Sequence, residues 1–439
     1  MLYRLGSGSL ASWDEAIYAS VAKEALRSGD WLHLTLNGAL WFDKPPLAIW
    51  VTAFFYKIFG INEFSARLFS GLCGAGTVLV TYFLGRQLLN RWTALLGALV
   101  LLTSSHFIRF ARFGMMDAPV TFFMSLALYF FWMGQNRNRY LIFSGVAIGL
   151  AVMTKGFTAF LVFPVIWIYC LWTSRLSVLA RSSYWVGVMV AVLIALPWHL
   201  YELWGHRSAF MNDVVVRHLF DRTTTSLDGH TGGLFFYMRV LVNKFHPWIL
   251  IGIISAPFFL FKAVKDREEE IVFLTVWMFF IFFVISAVRT KLAWYLLPVY
   301  PALSLSVAYF VAMVFRERSA WVAKGMFLVI VALHVPYSHI FDHDYSRDLK
   351  GIAPAVTARV AAGQPVFLYN YHESPAVSFY IGRRTVYLDS KEDLAKIAQE
   401  AHFNCLIHTR DLEAMGPSVM QRYGLTEQAS FDNLRFFSK

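Results

Sequence analysis

The sequence predicts an α-helical polytopic membrane protein with about ten spans, outer-face amphipathic helices and a small C-terminal α/β domain. Three observations predict it. Of 439 residues, 57% are hydrophobic and only 15% charged, whereas soluble domains carry about 25% charged residues. Long apolar runs recur along the chain, each close to the ~20 residues that cross a bilayer. The short loops between them alternate between basic and non-basic.

Spans are read at 66–85, 92–110, 118–134, 140–154, 157–172, 185–204, 246–264, 271–288, 292–315 and 322–340. The fourth and fifth are short and could form one re-entrant hairpin broken at Lys155-Gly156. Before them, Ile17, Val21, Ala25 and Leu26 make an apolar stripe at helical spacing over 14–29, as in an interfacial amphipathic helix. Residues 47–60 are apolar but too short to span, and suit the membrane surface. The last 98 residues change character. PVFLYNY, TVYLD and NCLIHTR read as strands, and SKEDLAKIAQEA as a helix capped by Ser390. The division is a transmembrane domain over 1–341 and an α/β domain over 342–439.

Orientation follows from the loops. Five alternate loops hold twelve Lys or Arg: Arg86/Arg91, Arg137/Arg139, Arg175/Arg181, Lys262/Lys265/Arg267 and Arg316/Arg318/Lys324. The others hold four: Arg112, Lys155, Arg289 and Lys291. The basic set should be cytoplasmic. Residues 1–65, the long loop 205–245 and the C-terminal domain then face outward. No apolar run precedes residue 12 to carry the start of the chain across, so a first helix is expected to be missing.

The same pattern explains the net charge of +11. Basic residues in short loops mark topology, so nucleic acid is not an expected partner. Membrane lipids and phosphate-bearing substrates are. The three cysteines, Cys73, Cys170 and Cys405, show no metal or redox spacing.

This orientation gathers the unusual ionisable residues on one side: Asp14, Glu15, Asp43, Lys44, Asp117, Lys155, His218, Arg222, His230 and Lys291. Ionisable groups near membrane depth are costly and are functional candidates by default. Each also has a plainer reading. Asp14-Glu15 and Asp117 could cap helices. Lys155 could snorkel from a tight turn. Lys291 and Tyr295 could belong to an interfacial belt. Asp43-Lys44 could be a local ion pair, although Pro45-Pro46 stiffens the backbone that presents Lys44. Their convergence on one rim favours chemistry on a phosphate-bearing lipid. Carboxylates can serve as base or orient a sugar, and lysine or arginine can neutralise a leaving phosphate. The motifs require no cofactor. Asp43 with His218 is the one candidate pair for a divalent cation.

The ordered set WDEAIYASVAKEALRSGDW, LNGALWFDKPPLAIW, RFGMMDAP, MTKGF and TKLAWYLLPVYPAL resembles the bacterial polyprenyl-phosphate-sugar glycosyltransferases of the C-type membrane fold. These include the lipid A aminoarabinose transferases and the protein O-mannosyltransferases. The match covers residues 12–310. The resemblance implies a polyprenyl-phosphate-sugar donor, and an acceptor that is a lipid A-type glycolipid or a protein. The site would face the periplasm from the bacterial inner membrane. It implies catalytic acids at Asp14, Glu15 and Asp117. Lys44, Lys155, Arg222, Lys291 and Tyr295 would contact the donor phosphate, and Asp43 could join His218 at a metal. Two departures are visible. The family has a helix ahead of the acidic pair, where this sequence shows no apolar run. The aminoarabinose transferases resemble D-E-x-R-Y at the first motif, and here Ile17 stands in place of the arginine.

The expected reaction is a single inverting displacement. A lipid-linked-sugar transporter or flippase would need ionisable residues at mid-membrane and repeat symmetry, and the sequence shows neither. A non-catalytic scaffold would explain the outer domain but not the gathered acids and lysines.

Overall fold

The computed structural model describes residues 1–213, 216, 231–337, 344–361, 363–371, 374–399, 403–416 and 418–439. It divides into two compact units. The helical unit comprises Met1–Leu5, Trp41–Val51 and Arg67–Phe341; the mixed unit comprises Gly6–Leu40, Thr52–Ala66 and Asp342–Lys439. The stretch 1–65 is thus divided between the units and does not stay whole with the helices.

In order, the longer helices are α1 (Asp14–Ser28), α2 (Leu47–Phe59), α3 (Glu63–Leu88), α4 (Arg91–Thr103), α5 (Ser105–Arg112), α6 (Asp117–Gly134), α7 (Arg139–Lys155), α8 (Val162–Trp172) and α9 (Ser182–Gly205). After the short α10 (Arg207–Met211) come α11 (Phe236–Lys244), α12 (Ile249–Lys265), α13 (Glu269–Ala287), α14 (Tyr300–Phe315) and α15 (Ser319–Tyr337). Among the described residues, five helical stretches are long and apolar enough to cross a membrane, or six if α4 and α5, bent by 64°, form one span. The chain is an integral membrane protein.

Two of those stretches reverse within themselves. Arg139–Trp172 is continuous in helical backbone. A straight helix would hold Arg139 and Tyr169 about 45 Å apart. Instead the Tyr169 hydroxyl reaches Gln135 Oε1 at 3.1 Å, just ahead of α7. The chain therefore turns back at Gly156, whose φ of +56° suits a residue without a Cβ. Likewise Ala308 and Ala323 meet in one cluster with Leu96, although a straight helix would separate them by roughly 22 Å. That reversal falls at Arg316, with φ +44°.

The α7–α8 arm is followed by α9, which runs parallel to α7. Gly145 lies against Gly187, and Gly149 against Ala191 and Ile194. A Cβ on Gly145 would overlap the Gly187 carbonyl, so the backbones touch. Such small-residue crossings let helices associate where lipid gives no hydrophobic drive.

In the mixed unit, the sheet orders its strands β4-β3-β5-β7-β6, counting β1 (Thr35–Leu36) and β2 (Ala39–Leu40) first. β3 (Val366–Tyr369) pairs in parallel with β4 (Thr385–Leu388) and β5 (Asn404–His408); β7 (Leu434–Ser438) runs antiparallel to β5 and to β6 (Thr426–Phe431). Ser390 Oγ accepts from the Asp393 amide at 3.1 Å, the cap its motif calls for. The α1 stripe faces protein: α1 packs on the short helix Pro375–Tyr380, with Val21 and Ala25 buried and Ile17 and Leu26 half-buried. That corrects the reading of α1 as a helix laid on lipid. Lys23 closes the contact, donating to the Phe379 carbonyl at 2.5 Å and to Ser378 at 3.4 Å.

Two predictions follow from packing. Gly145→Leu forces a full side chain into the α7–α9 crossing, and overpacking typically costs about 1–3 kcal/mol. Thermal unfolding in detergent should begin several degrees earlier, and an unchanged midpoint would refute the crossing. Burial pulls the Lys23 pKa down from 10.5 to about 8. Between those values the unfolded chain binds more protons than the folded one, so stability rises with pH. Below about 8 both states are protonated and the slope vanishes. Melting curves from pH 7 to 10 should show the rise in wild type and lose it in Lys23→Met.

Candidate functional site

The helical unit holds a cavity of about 610 Å³. Four chain segments bring the expected polar side chains to it. Asp43 and Lys44 come from the stiff loop ahead of α2, Asp117 opens α6, Lys155 closes α7, and Tyr295 lies in the 3-10 turn Ala293–Val299.

The centre of the set is the pair Asp117–Lys155. Lys155 Nζ donates to Asp117 Oδ1 at 2.5 Å, with the side chains only 7% and 4% exposed. A buried charge without a partner would be prohibitively costly. Lys155 also lies over the Tyr295 ring, its nitrogen 5.0 Å from the centroid, in cation–π geometry. An ammonium has three donors. Asp117 takes one and the ring stabilises the charge, so among the described residues two N–H groups remain for a ligand. Lys44 is buried and donates to the Asp43 carbonyl at 2.8 Å.

The rest of the wall is apolar. Ile148 and Val152 of α7, Val188, Ala191, Val192 and Ala195 of α9, and Ile281, Val284 and Ile285 of α13 line it. From Val188 to His199 the cavity follows α9 for about 16 Å. Phe160, Val192 and Leu196 are 45%, 47% and 43% exposed, so part of the apolar rim is open.

The remaining expected residues lie elsewhere. Asp14 and Glu15 open α1 in the mixed unit; Asp14 is half-buried, and Glu15, buried, accepts from the Ala11 amide at 2.7 Å. Lys291 is not in the cavity wall. Its ammonium donates to the Ser286 and Ile285 carbonyls at 2.5 and 3.1 Å, closing the end of α13, and burial lowers its pKa. Arg112 is turned to the backbone carbonyls of Met1, Tyr3 and Arg4. His218, Arg222 and His230 lie outside the described residues. Among the described residues no group of three or more His, Cys, Asp or Glu gathers as a metal site, and Asp43 alone does not make one. Thr158, Trp198 and His199 line the cavity and were not anticipated. His199 carried the available signal, an ionisable ring inside an apolar helix.

The family model described as dolichyl-phosphate-mannose-protein mannosyltransferase matches residues 43–201. The chain is 32% identical over 313 residues to the undecaprenyl phosphate-alpha-4-amino-4-deoxy-L-arabinose arabinosyl transferase 2 of Pseudomonas fluorescens. It is 27% identical over 338 residues to the corresponding transferase of Shewanella sediminis. Those alignments take in 68% and 74% of this chain but only 52% and 60% of the relatives' lengths. Among solved structures it resembles ArnT of Cupriavidus metallidurans bound to undecaprenyl phosphate, with a TM-score of 0.81 at 20% identity over 100% of this chain and 95% of that one. The chain has the aminoarabinose-transferase fold. Sequence and fold together give the likeness to the polyprenyl-phosphate-sugar glycosyltransferases that the motifs carry. Within the aminoarabinose-transferase fold, the matched segment 43–201 contains Asp43, Lys44, Asp117 and Lys155, four of the five polar residues named above.

The pair can be tested apart from turnover. Removing one partner of a buried ion pair typically costs about 3–5 kcal/mol, whereas replacing both can be neutral. Asp117→Asn and Lys155→Met should each lower the melting midpoint clearly, and the double variant should recover part of the loss. Additive losses would mean the two do not act as a pair.

Proposed function

We propose that this protein is a membrane glycosyltransferase that moves a sugar from a polyprenyl-phosphate-sugar donor to a lipid A-type glycolipid or another envelope acceptor. Ten helical segments would cross the bacterial inner membrane, with the site and the mixed unit facing the periplasm. One observation carries the reading. A single cavity joins a buried end carrying Lys44 and Lys155 to an apolar wall about 12 Å long on α9, from Val188 to Leu196. That shape suits an amphiphile with an anionic head and a hydrocarbon tail. The named relatives act on such a lipid, and the solved neighbour binds one.

The chemistry follows from the charges. An acceptor hydroxyl attacks the anomeric carbon as the bond to the lipid phosphate breaks, inverting the configuration. The departing phosphate gains negative charge, which Lys44 and Lys155 neutralise; Arg222 is a further candidate. Asp14 takes the acceptor's proton as general base. A phosphate acceptor has no proton to lose, and Asp14 then orients it. Asp117 holds Lys155 in place. Glu15, Lys291 and Tyr295 complete the set that the resemblance implies, with Tyr295 acting through Lys155.

Transfer of mannose to protein is the second reading, favoured by the description of the family model that matches 43–201.

Cells expressing wild type or Asp14→Asn, compared by mass spectrometry of lipid A and envelope proteins, test the proposal. A mass increment in the wild type that the variant lacks is expected, and the fraction carrying it names the acceptor. Lys44→Ala should lower transfer by about 100- to 1000-fold, the usual effect of removing one group that stabilises developing charge. Turnover near wild type would remove Lys44 from the mechanism.

A further inference from the structure

His199 sits in a setting that none of the roles above uses. It belongs to α9, follows Trp198 and lines the cavity. Its Nδ1 lies 2.7 Å from the Ala195 carbonyl, one turn earlier. A carbonyl only accepts, so Nδ1 carries the proton, and in the neutral ring Nε2 is a bare acceptor. Among the described residues Nε2 makes no hydrogen bond.

Its height in the cavity follows from the helix crossing. Gly145 meets Gly187, and Gly149 meets Ala191 and Ile194, so α7 and α9 advance together. Six residues beyond Gly149 is Lys155. Six beyond Ala191 and Ile194 gives the segment 197–200, which contains His199. Packing agrees, because Met153 and Trp198 share a cluster with Phe42, next to Asp43 and Lys44. His199 therefore stands level with the end of the cavity that carries the lysines.

The polar groups at that level are not alike. Lys155 is engaged by Asp117 and Tyr295, and an ammonium, which only donates, is a group suited to phosphate. An imidazole that only accepts has nothing to give a phosphate anion. It suits a hydroxyl or an amino group carried next to that phosphate. We infer that His199 is a sugar-reading residue: its Nε2 accepts a hydrogen bond from a hydroxyl or amino substituent of the donor sugar while the lysines hold the phosphate. This inference rests on the proposed donor class and extends it.

The test measures binding to the detergent-solubilised full chain. The probes are undecaprenyl phosphate, and the same lipid phosphate carrying 4-amino-4-deoxy-L-arabinose or mannose. Wild type should bind one of the sugar-bearing lipids more tightly than the bare one. His199→Phe should hold bare undecaprenyl phosphate within about twofold and lose about fivefold or more for the sugar-bearing lipid, the scale of one hydrogen bond to a reading group. Retained affinity for the bare lipid shows that the variant is folded. His199→Gln, which keeps an acceptor, should recover most of the loss. Equal loss for both ligands, loss for neither, or failure of Gln to recover overturns the assignment. So does a wild type that binds the sugar-bearing lipids no tighter than the bare one, and that result leaves the lipid-phosphate reading intact. A wild type that does not bind undecaprenyl phosphate removes the donor reading itself, and the role of His199 with it.

Discussion

The cavity depends on the ion pair between Asp117 and Lys155. Each residue ends a helix, one at the start of α6 and the other at the end of α7. Neither charge could remain buried alone. Pairing them lets the protein keep an ammonium inside an apolar helical bundle with donors to spare. The surrounding design protects that arrangement. Gly156 turns the chain immediately after Lys155, Tyr295 shields the charge, and the double proline behind Lys44 holds the second cation on a backbone with little freedom. The site is costly to build and stays in place because several rigid elements determine it at once.

The two units divide the work by chemistry. The helical unit buries cations and hydrocarbon-facing surface, and it contains the whole cavity. The mixed unit carries Asp14 and Glu15 on a helix packed against its own α/β elements. Glu15 already receives the Ala11 amide, so the two neighbouring acids differ in what they have left to offer. That asymmetry gives Asp14 the stronger claim as proton acceptor.

Much of this was legible in the sequence. Apolar runs marked the helices, and the Lys155-Gly156 break marked the reversal between α7 and α8, because a charge followed by glycine ends a helix visibly. Asp43, Lys44, Asp117, Lys155 and Tyr295 could be picked out because ionisable or aromatic groups at span ends stand against an apolar background. Other features were hidden for identifiable reasons. Lys291 was expected at the donor phosphate, and its amine also meets the carbonyls that end α13, a role invisible without the backbone. The α1 stripe had the spacing of a membrane-surface helix, and its covering comes from a segment more than three hundred residues later. The β6–β7 hairpin was missed because Asp432-Asn433 sits in a polar stretch with weak alternation, although Asp432 at φ +47° is the kind of turn residue such a pair supplies. His199 escaped notice because a lone histidine is usually unremarkable, and its level beside Lys155 emerges only from the crossing of two helices.

The open apolar rim at Phe160, Val192 and Leu196 sets how recognition is divided. A polyprenyl tail entering there leaves one hydrocarbon medium for another, and lipid chains are as apolar as the wall they meet. Little free energy is gained along the tail, whatever its length. Selection among lipids in the bilayer then falls on the few ångströms at the polar end, where headgroup charge is exchanged for lysine. On the proposed function, the protein would survey a two-dimensional sea of chemically similar tails and stop only those that end in the right group.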